Sequence, residues 1–173
     1  RDPFTKTRFD RSAWSAEIKE NYDAFEGKTV SVAGRIMSKR GMGKAIFCHI
    51  KDDRGQIQLY IRSDAVSEQE FKDFRKYDIG DIIGVTGYVF KTKTEEISVH
   101  VEAVELLSKS LRPLPEKFHG MTNTELKYRQ RYLDLIMSDK SRRNFEIRSR
   151  LIGPEHDCRR RCGAPLCHAP QYA

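Results

Sequence analysis

Three short runs rich in β-branched and aromatic residues, Thr29 to Lys39, Lys44 to Asp52 and Gln56 to Arg62, follow one another with only RGMG and DDRG as breaks. Both breaks are glycine-containing turn chemistry, and connections this short join antiparallel neighbours. The segment is therefore a three-stranded meander in which alternation decides which side chains face a core. Ser67 to Tyr77 follows with Phe71 and Phe74 at helical spacing, and DIIGVTGYVFKT and EEISVHVEAVELL then supply two more strands.

Three strands, a helix and two strands is the element order of an OB-fold, a partly open five-stranded Greek-key barrel whose middle strands face oligonucleotides. Gly34, Gly84 and Gly87 fall inside strands, where barrel bends are expected. Ahead of the barrel, Trp14, Ile18, Tyr22 and Phe25 predict one helix over Arg11 to Phe25, ended by Gly27, with a single apolar stripe on the core. Behind it, Pro113 and Pro115 in LRPLPEKFHG forbid regular structure and mark a boundary. Helical periodicity resumes over Asn123 to Met137 through Leu126, Tyr132, Leu133 and Ile136, and Phe145, Ile147 and Leu151 begin another helix. The predicted class is mainly β with flanking helices: an N-terminal helical extension (1–26), the OB-fold barrel (27–110), a helical linker that opens a second domain (111–152) and a tail (153–173).

With 173 residues, 38% of them hydrophobic, the chain fills one modest core plus extra elements, which excludes a disordered chain. A net charge of +7 suits an acidic partner without identifying one. No run approaches the length of a membrane span, and RDPFTKTRFD has neither an initiator Met nor an apolar signal core. The expectation is a cytoplasmic protein, without a membrane partner, whose own N-terminus lies further upstream. Cys48 stands apart from Cys158, Cys162 and Cys167 near the C-terminus, which is not the even spacing of a secreted disulfide framework.

Between Val30 and Tyr60 an arginine, an aromatic ring and an amide recur on these strands: Arg35, Arg40, Phe47 and Gln58. A single-stranded nucleic acid needs cations for its phosphates, a flat ring for an unstacked base and an amide for that base's edge. In KAIFCHIKD, alternation sends Ile46, Cys48 and Ile50 to one face and Phe47 and His49 to the other. An outward Phe is unexpected unless something stacks on it; the other register, shifted by one, makes Phe47 core. Gln58 then falls on the next strand, beside Phe47, and its amide suits the edge of a uracil, although a strand Gln is commonly just solvated. Arg35, Lys39, Arg40 and Lys44 give a basic rim at the first hairpin, and Lys91 and Lys93 another at the last. Such charges are commonly solvated surface, but two basic hairpins at one barrel mouth would supply phosphate contacts. Glu96 is the exception, since a carboxylate beside a polyanion adds selectivity more than affinity.

The stretches AGRIMSKRGMGKAIF, DDRGQIQLYI, GDIIGVTGYVFKTKTEEISVH, LRPLPEKFHG and YRQRYLDLI resemble the N-terminal region of class II lysyl-tRNA synthetases of bacterial type, from about Asp2 to Ile152. Aspartyl and asparaginyl synthetases share the barrel but are less similar in the linker. The resemblance implies a barrel that binds the anticodon loop of a lysine tRNA and recognises its central uridine. By matching positions it implies that Phe47 stacks that base, that Gln58 and Glu96 read it or its neighbours, that Arg40 bridges base and phosphate, and that Arg35 is a fifth member. It assigns no catalytic residue to this chain. Asp134, Arg129 and Arg131 are read as interdomain or dimer contacts.

Members of that family continue past the position of Ile152 into a dimer-forming segment and a catalytic domain that binds ATP and lysine. Here the chain reads GPEHDCRRRCGAPLCHAPQYA, which abandons the helical period. Shifted by one nucleotide, its codons permit Asn-Met-Ile-Ala-Gly-Gly-Ala-Ala-Ala-Arg-Pro-Phe-Val-Thr-His-His-Asn, which resembles the family segment after its first class II motif. Gly153 to Ala173 is therefore expected to be out-of-frame or disordered. His156, Cys158, Cys162, Cys167 and His168 are zinc-ligand types, but their spacings match no paired-knuckle pattern, so no metal site is expected. Three functions stay open: the tRNA-binding part of a lysine-tRNA ligase without its catalytic core, a free-standing OB-fold RNA-binding module, and an assembly fragment docking through RQRYLDLI. In the first, this part needs no cofactor, while the parent homodimer would use ATP and Mg2+.

Overall fold

A computed structural model describes residues 8–92, 94–112, 114 and 124–162. The chain divides into two compact units, Arg1–Leu114 and Pro115–Ala173. The first contains α1 (Ser15–Glu20), α2 (Tyr22–Phe25), β1 (Thr29–Met42), β2 (Ala45–Lys51), β3 (Gln56–Arg62), α3 (Glu68–Arg75), β4 (Ile82–Lys91) and β5 (Ile97–Ser108). The second contains α4 (Thr124–Arg129), α5 (Arg131–Met137) and α6 (Asp139–Cys162).

The five strands close into a barrel in the order β1-β2-β3-β5-β4, with β1 pairing β4 to complete the ring. Every neighbouring pair is antiparallel except β3 and β5, which run parallel. β1 serves both neighbours because it is long: Thr29 to Arg35 face β4, and Arg35 to Met42 face β2. Gly34 lies at that handover, where a Cβ would stand 2.9 Å from the Lys51 carbonyl oxygen. Gly87 lies where the β4–β5 register shifts, and any Cβ there would collide with the carbonyl of His100. Gly84 differs, since its missing side chain makes room for the Phe9 ring.

Alternation fills the barrel. Ile46, Cys48 and Ile50 from β2, Ile57, Leu59 and Ile61 from β3, and Ile83, Val85, Val89, Val99 and Val101 from β4 and β5 are all buried in one cluster. Each such aliphatic side chain stabilises the fold by about 1.5–3 kcal/mol relative to exposure. Burial pushes the Cys48 thiol up to about 12, so it stays protonated and behaves as a small apolar residue. α3 begins at a capping box in which Ser67 Oγ accepts from Glu70 N–H and the Glu70 carboxylate accepts from Ser67 N–H. It buries Phe71 and Phe74 in the same cluster.

The C-terminus of α3 is closed by a residue the sequence assigned to a basic rim. Lys39 lies opposite Cys48 in the β1–β2 ladder, and its Nζ donates to the carbonyls of Phe74 (2.6 Å), Arg75 (3.1 Å) and Tyr77 (2.8 Å). The last carbonyls of a helix need donors, and an ammonium there also meets the negative end of the dipole. Burial lowers the Lys39 pKa, with nearby carboxylates opposing it.

Asp81, fully buried before β4, anchors the neighbouring loops: its carboxylate accepts from Asp78 N–H, Ser110 N–H and Lys109 Nζ, each at 2.8 Å. Burial pulls the Lys109 pKa down, but its bonds to Asp78 and Asp81 outweigh that and leave it raised.

The predicted single helix over Arg11 to Phe25 is two short ones. Ser12 N–H donates to the Ser31 carbonyl, Ser15 N–H donates to the Asp52 carboxylate at 2.7 Å, and Asn21 leaves helical geometry with φ −115° and ψ 42°. The bonds to the barrel hold the chain ahead of Ser15, where the predicted helix would already have begun. The same Asp52 accepts from Arg54 and Gly55 N–H, so one carboxylate closes the β2–β3 turn and docks α1. Ile18 is buried in the core cluster, with Tyr22 and Phe25 packed against it.

In the second unit the predicted helix over 123–137 breaks at Gln130, whose φ −118° and ψ 59° separate α4 from α5. Arg131 bonds the buried Asp134 at 3.0 Å and lies over the rings of Tyr128 and Phe145, while Arg129 pairs with Glu125 at 2.8 Å. These three residues therefore have partners within their own unit. Helical backbone continues to Cys162, where the sequence predicted irregular chain from Gly153. Pro154 removes one backbone donor, but Glu155 to Arg161 are residues a helix accepts. Pro113 and Pro115, Asn123 and residues 163–173 lie outside the described residues. No described helix is long and apolar enough to cross a membrane.

Between β4 and β5, Thr92 N–H donates to the Glu96 carbonyl and Glu95 N–H to the Thr92 carbonyl, a tight loop that holds Glu95 at φ 60°. A non-glycine residue in that left-handed region costs about 1–2 kcal/mol. Glu95→Gly should therefore raise stability by up to about 1 kcal/mol, a gain reduced by glycine's greater unfolded-state freedom; an unmoved or lower urea midpoint refutes this. Lys39→Met keeps the stem and removes three donors from the end of α3. It should cost about 1–3 kcal/mol in urea unfolding, and a midpoint equal to the parent's would show that water replaces the ammonium there.

Candidate nucleic-acid interface

Because Ile46, Cys48 and Ile50 point inward, Ala45, Phe47, His49 and Lys51 occupy the outer face of β2. The register that makes Phe47 core does not occur. On β3 the outer residues are Gln56, Gln58, Tyr60 and Arg62. The DDRG turn closes the ladder at Lys51 opposite Gln56, which counts back to His49 opposite Gln58 and Phe47 opposite Tyr60. Gln58 is thus the diagonal neighbour of Phe47, not its direct partner as the sequence suggested, because turn length fixes register and alternation alone does not.

Phe47 instead meets Tyr60, ring centroids 4.9 Å apart. The parallel β3–β5 ladder places His100 beside Tyr60, and the β4–β5 ladder places Tyr88 opposite His100. Tyr60 lies 5.4 Å from His100 and 5.8 Å from Phe90, while His100 stacks on Tyr88 at 4.7 Å and 9°. These five half-buried rings form one wall across the outer sheet. Burial first, then Arg62, lowers the His100 pKa, and its buried Nδ1 has no described partner.

A polar strip borders this wall. Gln58 is buried at 6% exposure rather than solvated, and Ser98, its partner in the β3–β5 ladder, donates Oγ–H to its Oε1 at 2.7 Å. With that oxygen engaged, Gln58 presents N–H donors as its remaining polar edge. His49 Nδ1 lies 3.0 Å from Ser38 Oγ, and its Nε2 lies 3.1 Å from Glu96 Oε1. Glu96 therefore belongs to the strip, carried there by the β4–β5 hairpin.

The cations divide in two. Arg40 is exposed directly opposite Phe47, and Lys44 is exposed in the hairpin that Gly43 turns with φ 61°. Arg35 does not join them. It pairs with Lys51, four residues from Phe47 and so about 13 Å along the strand, and its Nη1 donates to the Gly80 carbonyl at 2.7 Å. Burial lowers its pKa, and Asp81 opposes that shift. Lys91 lies over the Tyr22 ring at 5.3 Å, and Lys93 lies outside the described residues.

Tyr60, Tyr88, Phe90, His100 and Ser98 were missed as site residues. The signal was available, since QIQLYI, GYVF and ISVH alternate as KAIFCHIKD does; the β3–β5 pairing that gathers them was not. Among the described residues, no group of three His, Cys, Asp or Glu is placed to hold a metal ion. The side chains of His156, Cys158, Cys162, Cys167 and His168 lie outside what is described.

Comparison with known proteins agrees with this geometry. A family model described as an OB-fold nucleic acid binding domain, of the tRNA anti-codon type, matches residues 30–107. Lysine–tRNA ligases of Clostridium novyi (strain NT) and Clostridium botulinum (strain Hall) are 51% and 53% identical to the chain over 152 residues, 88% of its length and 30% of theirs. The lysine–tRNA ligase of Streptococcus suis (strain 05ZYH33) is 54% identical over 158 residues, 87% of this chain and 32% of that protein. The chain thus spans about a third of the length of these relatives. It is a homologue of the N-terminal region of lysine–tRNA ligases, and its barrel is an OB-fold nucleic-acid-binding domain.

Proposed function

We propose that the outer face of the barrel binds the anticodon loop of a lysine tRNA and seats its central uridine on Phe47. The observation that carries this reading is an outward phenylalanine bordered by donors on one side and an acceptor on the other, in a homologue of lysine–tRNA ligases. Uracil presents acceptor, donor, acceptor along its pairing edge, whereas cytosine has an unprotonated ring nitrogen at the centre and an amino group at one end. Gln58 N–H groups match a uracil carbonyl, and the Glu96 carboxylate matches the N3–H. Cytosine would bring a lone pair against that carboxylate and an amino donor against the amide donors. Arg40 and Lys44 take the phosphates on either side, which supply affinity without sequence preference. Arg35 is left out of this set, because its guanidinium is already committed to Gly80.

In the whole protein this domain would present tRNA to a ligase that attaches lysine with ATP and Mg2+, as a cytoplasmic homodimer. Those steps belong to residues outside this chain.

Phe47→Ala should weaken anticodon stem–loop binding by about 5- to 100-fold, the worth of one stacked base. Fluorescence titration of the full chain checks it, and unchanged affinity would remove the stacking role. Titrated against salt, loops with a central uridine and a central cytidine should give parallel lines of log K against log [salt], offset in favour of uridine. Coincident lines would refute base recognition.

A further inference from the structure

We propose that His49 is a positioning residue for base discrimination: it holds Glu96 by one carboxylate oxygen, leaving the other aimed at the pyrimidine edge. This rests on the anticodon-loop reading above and adds to it a residue that touches no base itself.

Three features of the sheet converge on this imidazole. First, the β1–β2 register shifts between Ile36 and Ser38, so that Ile36 pairs with Ile50 and Ser38, not Met37, pairs with His49. An irregularity of this kind re-aims a side chain, and here it brings Ser38 Oγ to 3.0 Å from His49 Nδ1. Second, the β4–β5 hairpin delivers Glu96 to the other ring nitrogen, 3.1 Å from Nε2. A carboxylate only accepts, so Nε2 carries the proton, and in the neutral ring Nδ1 accepts from the Ser38 hydroxyl. Third, His49 faces Gln58 across the β2–β3 ladder, so the residues that carry the amide and the carboxylate both neighbour one imidazole.

The side chains differ in freedom. His49 is 15% exposed and tethered at both nitrogens, whereas Glu96 is 41% exposed. A glutamate this exposed samples several rotamers, and ordering it on binding would cost affinity for the matching base without raising the cost of the wrong one. Tied to His49, it is ordered before RNA arrives. The carboxylate then stands where uracil N3–H needs an acceptor and where the cytosine lone pair is repelled. Removing the tether should therefore erode the preference for uridine while the phosphate contacts of Arg40 and Lys44 persist.

The test titrates the full chain with two anticodon stem–loops that differ only in central uridine or cytidine. His49→Ala should reduce the uridine-to-cytidine affinity ratio by about tenfold, one hydrogen bond's worth, with the cytidine loop bound nearly as before. His49→Gln, whose amide nitrogen reaches the position of Nε2, should restore most of the ratio. If the wild type discriminates and His49→Ala discriminates equally, or if His49→Gln is no better than His49→Ala, the positioning role is overturned. If the wild type shows no preference, the anticodon-loop reading falls and this inference with it. Should His49→Ala fail to fold, Ser38→Ala removes only the tether at Nδ1 and should lower the ratio in the same direction; an unchanged ratio overturns the proposal. Nitrogen-15 NMR of the imidazole offers an independent reading, expecting a protonated Nε2, and a ring protonated at Nδ1 alone would also overturn it.

Discussion

The ladder between β2 and β3 is the constraint on which the rest depends. Asp52 fixes its closing turn by accepting from Arg54 and Gly55, and from that turn each pair to Ala45 opposite Arg62 follows by counting. A slip of one residue would exchange Ile46, Cys48 and Ile50 for Phe47, His49 and Lys51 and place a lysine in the core. Core and candidate interface are therefore one decision, made at the turn. The same carboxylate also binds Ser15 N–H, so the docking of the N-terminal helix is coupled to the register that exposes Phe47.

Not every cation behind the net charge of +7 is free to meet a polyanion. Lys39 closes the end of α3, Lys109 neutralises the buried Asp81, Arg35 holds Gly80, and Arg131 is bound to Asp134. Each of these cations is held by a group of the protein's own. Arg40 and Lys44, both exposed at the tip of the β1–β2 hairpin, are left beside Phe47. Few cations in a fixed place suit a site that selects a loop better than one that coats a backbone, because nonspecific affinity grows with every phosphate neutralised.

Strand parity was legible in the sequence because period-two alternation is local. It placed Phe47 and Gln58 on one face, and the element order gave a five-stranded OB-fold barrel that the structure and the family match share. What was not legible depended on distant atoms. Lys39 and Arg35 look like any rim cation until the carbonyls of Phe74 and Gly80 arrive beside them. Gln58 looks solvated until the parallel β3–β5 pairing brings Ser98 against it. The start of α1 at Ser15, rather than at Arg11, answers to bonds that Ser12 and Ser15 make to Ser31 and Asp52, which no helical window contains.

In the proposed site, Glu96 would trade affinity for choice. A carboxylate at the edge of a basic barrel repels every phosphate nearby, so it weakens binding to all loops alike. Its attraction is directional and exists only for a base that offers a proton where the oxygen stands. The difference between bases therefore depends on how firmly that oxygen is held, and less on the depth of the charge interaction. The hairpin that carries Glu96 keeps a non-glycine residue at φ 60°, and the carboxylate is tied to a ring itself tied to β1. On the proposed reading, two hydrogen bonds hold the orientation of one side chain, which is where a discrimination built on geometry would be made.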